Sequence, residues 1–308
     1  MLSAVLLAAS RSSRLGELTA SWPLTKRVVD RFVAGDQLRA ALAVVRTLVA
    51  QDLSVTIDHL GESVQSARAA TANRDEYLRL VDGLAALDLG PRAELSVKLS
   101  AFGQAMPGGH DLALANVRAV VAAAASVETM VTLDMEDHTS VDSTLAILAA
   151  LRADFPRTGA VLQAYLHRSE DDARTLATSG SRVRLVKGAY REPPAVAHQS
   201  RRAVDDAFIR CLAILMTGAG HPMIGSHDPR MIDVAQSLAR RTGRDLNEFE
   251  FQLLYGIRPY EAERLRALGH AVRVYVPYGS DWYGYFMRRL AERPANLAFF
   301  VRANASRD

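Results

Sequence analysis

A chain of 308 residues, 49% apolar and 23% charged, has room for a single α/β barrel of roughly 250 residues and a small helical addition. The net charge of +3 is small and the arginines are scattered, with no basic stripe interleaved with aromatics, which argues against nucleic-acid binding. Cys211 is the only cysteine, so an intramolecular disulfide and a cysteine-based metal site are both excluded. Only Lys26, Lys98 and Lys187 are lysines. Arginine carries nearly all the positive charge, so lysine is expected mainly where arginine would not serve.

The first ten residues are apolar but place no basic residue before their hydrophobic run, so a helix packing on the body is expected there, not a signal peptide. No run reaches the roughly 18 apolar residues of a membrane span, and the chain is not expected to cross a bilayer. Trp22, Leu24, Val28, Val29 and Phe32 recur at helical spacing, and Leu38 to Ala50 reads as an apolar-rich helix. Residues 1–50 are therefore expected to be a helical segment packed on a barrel formed by residues 51–308.

From Leu53 onward, strand-like runs alternate with helical ones every 25 to 40 residues or so. The predicted strands are Leu53–Leu60, Ala93–Ser100, Met130–Glu136, Ala160–Leu166, Arg182–Tyr190, Met223–Asp228, Glu248–Gly256 and Val272–Val276. The predicted helices include Ala113–Ala125, Ser140–Arg152, Glu170–Thr178, Asp205–Met216, Met231–Arg241 and Glu261–Leu268. Eight such alternations predict a parallel barrel, and no Gly-x-Gly-x-x-Gly follows any strand to suggest a dinucleotide fold. In the last strand Val272, Val274 and Val276 alternate with Arg273 and Tyr275. Pro277 and Gly279 then break the pattern, and a helix is expected to carry Tyr285, Arg288, Arg289 and Glu292. Paired guanidiniums on a rigid element suit a carboxylate or phosphate.

Polar residues gather at the C-terminal ends of the predicted strands, the face on which barrel enzymes build their active sites. They are Glu62, Lys98, Asp134, Gln163, Arg184 with Lys187, Ser226 with His227, and Tyr275. The run Asp134-Met135-Glu136-Asp137-His138 offers metal-ligand types. Its carboxylates alternate faces and no second histidine is suitably spaced, so no metal is expected. Lys98 or Lys187 could be a Schiff-base lysine, which would make the chain a barrel aldolase. His227 reads equally as a ligand or as a satisfied core histidine.

One stretch is more specific. Arg273-Val274-Tyr275, Pro277, Gly279 and Arg288-Arg289-Leu290-Ala291-Glu292-Arg293-Pro294-Ala295-Asn296 resemble the C-terminal signature of the proline dehydrogenase family. Lys98-Leu99-Ser100, Leu133-Asp134-Met135-Glu136, Gln163-Ala164-Tyr165, Val183 to Tyr190 and Phe251 to Gly256 resemble further motifs of that family, in the family's order. The likeness covers roughly residues 50 to 300. It implies an α/β fold, a distorted (β/α)₈ TIM-type barrel with additional N-terminal helices. It implies FAD-dependent oxidation of L-proline to Δ1-pyrroline-5-carboxylate, with electrons passed to a quinone.

Carried over residue by residue, the resemblance implies that Lys98, Arg288 and Arg289 hold the substrate, and that Asp134, Arg184 and Tyr275 are tied to catalysis. Met135, Gln163, Arg184, Lys187, Gly188, Ala189, Ser226 and His227 would hold the flavin, and Glu62 would pair with an arginine as a gate. Ser200-Arg201-Arg202 stands where the family carries Thr-Arg-Lys, and Ser226-His227-Asp228 where Thr-His-Asn is commoner. The chain is expected to be monofunctional, handing its product to a separate pyrroline-5-carboxylate dehydrogenase. The cytoplasm is the expected location, with a peripheral contact at the inner face of the plasma membrane left open.

Overall fold

The computed structural model describes residues 29–61, 64–178 and 180–285. Eight parallel strands close a barrel in sequence order, with the last hydrogen-bonded to the first. In chain order the elements are α1 (Leu38–Ala50), β1 (Ser54–His59), α2 (Ala67–Ala85), β2 (Ala93–Val97), α3 (Gly109–Ser126), β3 (Met130–Leu133), α4 (Val141–Arg152) and β4 (Gly159–Gln163). They continue with α5 (Ser169–Leu176), β5 (Arg182–Val186), α6 (Arg201–Thr217), β6 (His221–Gly225), α7 (Pro229–Thr242), β7 (Glu250–Leu254), α8 (Pro259–Ala267) and β8 (Ala271–Tyr278). The closure is uneven, with six paired positions joining β1 to β8 and two joining β3 to β4.

Each strand is buried on both faces, as a parallel sheet under a shell of helices requires. In β2, Ala93, Leu95 and Val97 belong to the hydrophobic cluster beneath the helices, while Glu94 and Ser96 between them face the barrel interior. The valines of β8 pack outward in the same way, and Arg273 and Tyr275 point in. Helix starts are fixed by side chains that satisfy backbone donors left over at the first turn. Ser66 accepts from the Ala69 amide, Ser200 from Ala203, and Asp228 from Arg230 ahead of Pro229 in the first turn of α7.

Most strands stop a few residues short of their predicted ends. β4 ends at Gln163 because its carbonyl accepts from the Leu166 amide and from the Ser169 hydroxyl, which pulls the chain into a turn. β5 ends at Val186 because Gly188 lies at φ 128°. The helix α2 has no predicted counterpart. Its apolar residues Tyr77, Leu80, Val81 and Leu84 crowd one end of an otherwise polar helix.

The segment before α1 is tied to the barrel by hydrogen bonds from Ala34 N to Pro277 O and from Gly279 N to Gly35 O. The predicted helical run that includes Phe32 gives way there to a turn, in which the Phe32 and Val33 amides bond to Val29 O. Among the described residues, no helix is long and apolar enough to cross a membrane.

Candidate active site

The barrel interior is ionic. Glu94 on β2 and Glu250 on β7 are fully desolvated and surrounded by Arg182 and Arg184 on β5 and Arg273 on β8. Thr56 and Thr132 each donate to Glu94 at 2.7 Å. Burial alone would raise both carboxyl pKa values. The surrounding guanidiniums outweigh it, with Arg273 acting most strongly, and hold Glu94 near about 2 and Glu250 well below the usual range. This layer forms the floor on which the next one stands.

Arg184 joins the two layers. Its Nη2 lies 3.0 Å from Glu94 Oε2, its Nη1 lies 2.7 Å from Asp134 Oδ1, and its Nε donates to Gln252. A guanidinium fork held on three sides has little freedom left. Burial works against its charge, but Asp134 and Glu94 more than compensate and raise its pKa further. The sequence placed Arg184 at a strand end beside Lys187. It sits one layer deeper, inside the barrel, because strand residues two apart share a face and Arg184 follows Arg182 inward.

Asp134, one residue past β3, is the centre of the upper layer. Its Oδ1 also accepts from Ser96 Oγ at 2.7 Å, and its Oδ2 accepts from the Tyr275 hydroxyl at 2.9 Å. Lys98, one residue past β2, lies 2.6 Å from Asp58 Oδ2, 3.6 Å from Asp134 Oδ2 and 3.5 Å from the Tyr275 hydroxyl. The Tyr275 ring lies over Arg184, 5.4 Å from guanidinium to ring centre. Burial, then Asp134 and Asp58, push the Tyr275 hydroxyl well above the ordinary phenol range, so it stays a neutral donor. Across both layers four cations (Lys98, Arg182, Arg184, Arg273) face four carboxylates (Asp58, Glu94, Asp134, Glu250), and the formal charges cancel.

Beside this cluster, the ends of β4, β5 and β6 form a shelf. Gln163 donates to Glu136 O at 2.7 Å and accepts from the Ala189 amide at 3.2 Å, which pins the Lys187-Gly188-Ala189 backbone. Gly188 runs against the Tyr165 ring, where a Cβ would come within 2.4 Å. Met135 is buried with Tyr165 beneath the shelf. Lys187 is held by Asp205 at 2.5 Å and by Asp228 at 2.7 Å. Ser226 is buried, and His227 accepts from the Leu254 amide through Nε2 while its carbonyl takes Arg258. His227 is thus a satisfied histidine at the rim.

Lys98, Asp134, Arg184 and Tyr275 therefore meet in one hydrogen-bonded constellation, with Gln163, Lys187, Gly188, Ala189, Ser226 and His227 on the adjoining strand ends. Glu62, Arg288 and Arg289 lie outside the described residues. Arg201 opens α6 as an exposed residue. Asp58, Ser96 and Gln252 were not anticipated. Their signal was a polar residue two positions after another polar one in the same strand, which puts both on one face: Thr56 and Asp58, Glu94 and Ser96, Glu250 and Gln252. Both candidate Schiff-base lysines are taken up in ion pairs between two carboxylates, Lys98 with Asp58 and Asp134 and Lys187 with Asp205 and Asp228. The metal-like run is spent elsewhere, with Glu136 on Ser100, Asp137 on Thr139 and His138 on Glu192. A cavity of about 720 Å³ at the opposite, N-terminal end of the barrel is lined by Met216, His221, Arg241 and Arg244. There Arg244 is spent on the carbonyls of Leu215, Met216, Gly218, Gly220 and Glu248.

A model of the family described as "Proline dehydrogenase" matches residues 41–302. Proline dehydrogenase 1 of Bacillus subtilis is 37% identical over 302 residues, covering 98% of both chains. Proline dehydrogenase of Deinococcus radiodurans is 38% identical over 278 residues, covering 89% of each. In fold, the chain is similar to proline utilization A from Bdellovibrio bacteriovorus inactivated by N-propargylglycine, with a TM-score of 0.81 at 24% identity. That match covers 92% of this chain and 34% of the larger protein.

Proposed function

The chain belongs to the proline dehydrogenase family and is an oxidoreductase acting on proline in the first step of proline catabolism, and we propose that it does so with FAD. The product is Δ1-pyrroline-5-carboxylate, the electrons pass to a quinone, and the product goes to a separate pyrroline-5-carboxylate dehydrogenase. The catalytic unit spans residues 51–308, preceded by a segment over 1–50, and works in the cytoplasm.

The observation that carries this reading is the constellation of Lys98, Asp134, Arg184 and Tyr275 at the C-terminal mouth of the barrel. The donor set suits a flavin. Arg184 supplies a fixed cation, and the pinned backbone of Gly188 and Ala189, the Gln163 amide, Ser226 and His227 border one side of the cluster. Lys187 stands at the edge of the same shelf, and Met135 supports it from below. Bound there, FAD would supply the hydride acceptor for oxidation of the proline ring.

The chain's own residues bind and orient the substrate. Proline is a zwitterion, so Arg288 and Arg289 take its carboxylate by paired donors, and Lys98 adds a third positive group. Glu62 pairs with an arginine and gates the entrance. Tyr275 covers the ring of the substrate, and Asp134, fixed by Arg184, Ser96 and Tyr275, presents negative charge to the substrate nitrogen as it becomes an iminium. Held this way, the reacting carbon needs little further reorganisation.

The purified protein is expected to be yellow and to bleach stoichiometrically when L-proline is added without oxygen. A colourless protein, or a flavin that L-proline leaves oxidised, would contradict the reading.

A further inference from the structure

The oxidation leaves one proton unassigned. Proline arrives as an ammonium, and its nitrogen must shed a proton before the C–N bond can become double. We propose that Asp58 is a positioning residue that takes up this proton through Lys98. The inference rests on the reading of the cluster as the place where proline is oxidised.

Two carboxylates border Lys98, and they differ in how fully they are used. Asp134 accepts from Arg184, Ser96 and Tyr275 at 2.7, 2.7 and 2.9 Å, with Lys98 at 3.6 Å as a fourth neighbour. Every lone-pair direction of that carboxylate is spoken for, so it has no free site for an incoming proton. Asp58 is 1% exposed and takes Lys98 at 2.6 Å on Oδ2, and its Oδ1 is buried with no hydrogen-bond partner. Leaving a charged oxygen unsatisfied in the interior is costly, and neutralising the group relieves that cost.

The groups facing Asp58 are Lys98 just past β2, Asp134 just past β3, Tyr275 and Tyr278 from β8 and Tyr77 from α2, with Arg184 of β5 behind Asp134. Burial raises the Asp58 pKa, Lys98 opposes it, and Asp134 adds to the rise. Of the two carboxylates, Asp58 is the one built to be neutral for part of a turnover.

In the transfer, an Nζ–H bond of Lys98 breaks first and that proton bonds to Oδ2 of Asp58, which leaves a lone pair on Nζ. An N–H bond of the substrate then breaks, and its proton bonds to Nζ through that lone pair. Lys98 ends as an ammonium and Asp58 as a neutral acid, and no electrons change hands in this transfer. The 2.6 Å separation is within direct proton-transfer reach. Once the product has left, the proton returns to solvent by the reverse path.

The test is the pH profile of kcat/KM for the holoenzyme and its Asp58→Asn variant. At neutral pH the variant should be slower by on the order of a hundredfold. The gap should narrow as pH rises, because Lys98 without its carboxylate releases its own proton more readily and can then take the substrate's directly. A loss equal at every pH, or no loss, overturns the proposal, since a purely structural role would act that way. Should Asp58→Asn fail to fold, infrared difference spectra of wild-type holoenzyme carrying isotopically labelled aspartate decide the matter. In time-resolved spectra a protonated aspartic acid must appear as L-proline reduces the flavin anaerobically, before the product leaves, and its absence in that interval overturns the proposal. Wild-type flavin that L-proline does not reduce overturns the reading of the site and this inference with it, whereas normal reduction with parallel profiles overturns this inference alone.

Discussion

Tyr275 carries two duties that separate under mutation. Its hydroxyl bonds Asp134 at 2.9 Å, and its ring covers Arg184 while the residue stays half-exposed at the mouth. Tyr275→Ser should lower activity on proline and narrow the preference for proline over 4-hydroxyproline. A wall that excludes a substituent by contact discriminates by only about 1 to 3 kcal/mol, so the preference should shrink without inverting. Thermal melting and the ratio of the two kcat/KM values check this. A large drop in melting temperature with an unchanged ratio would mark the tyrosine as packing alone. In the sequence it was singled out by the resemblance of Arg273-Val274-Tyr275 to the family's signature. Asp58 and Ser96 were not, because one polar residue in a strand reads as a loop-facing side chain until closure shows that it points inward at Lys98 or Arg184.

At the scale of elements, the eight strands were legible because β-branched residues alternate or run together between turn residues, and parallel strands under helices keep that composition. Their ends were less so. The Gln163 carbonyl is captured by Leu166 and Ser169, which strand periodicity cannot foresee. The end of β5 rests on Gly188, which combines φ 128° with contact against Tyr165. Gly188→Ala should therefore be doubly unfavourable. Left-handed backbone costs roughly 1 to 2 kcal/mol for a residue with a Cβ, and overpacking costs about 1 to 3 kcal/mol more. Chemical denaturation should show a loss in that combined range, and the flavin should bind more weakly because the Lys187–Ala189 backbone moves. Wild-type stability and flavin affinity in this variant would mean that the segment is not pinned as described.

For the whole molecule, the distinctive feature is an interior that is charged yet neutral in sum. Such a core is weak support for stability when intact and a large liability when one partner is removed. The sign of its pH dependence follows from Glu94 and Glu250, whose carboxyls are depressed in the folded state by the guanidiniums around them. Their stabilisation is complete above the usual carboxyl range and is lost as pH falls through the folded values. For Glu94 that window runs from 4.5 down to about 2, and its share is on the order of 3 kcal/mol. Denaturant midpoints should fall steeply across that window, and Glu94→Gln should be less stable above it and flatter within it. A wild-type protein whose stability is flat from pH 4.5 to 2 would contradict the charged interior. Under the proposed function, that interior fixes Asp134 through Arg184, Ser96 and Tyr275 beside the reacting proline. Anaerobic single-turnover reduction of the Asp134→Asn holoenzyme by L-proline tests this claim most directly. The change keeps the side chain's shape and removes its charge, so bleaching should slow by about a hundredfold while flavin content is retained. An Asp134→Asn enzyme that bleaches at the wild-type rate would contradict it.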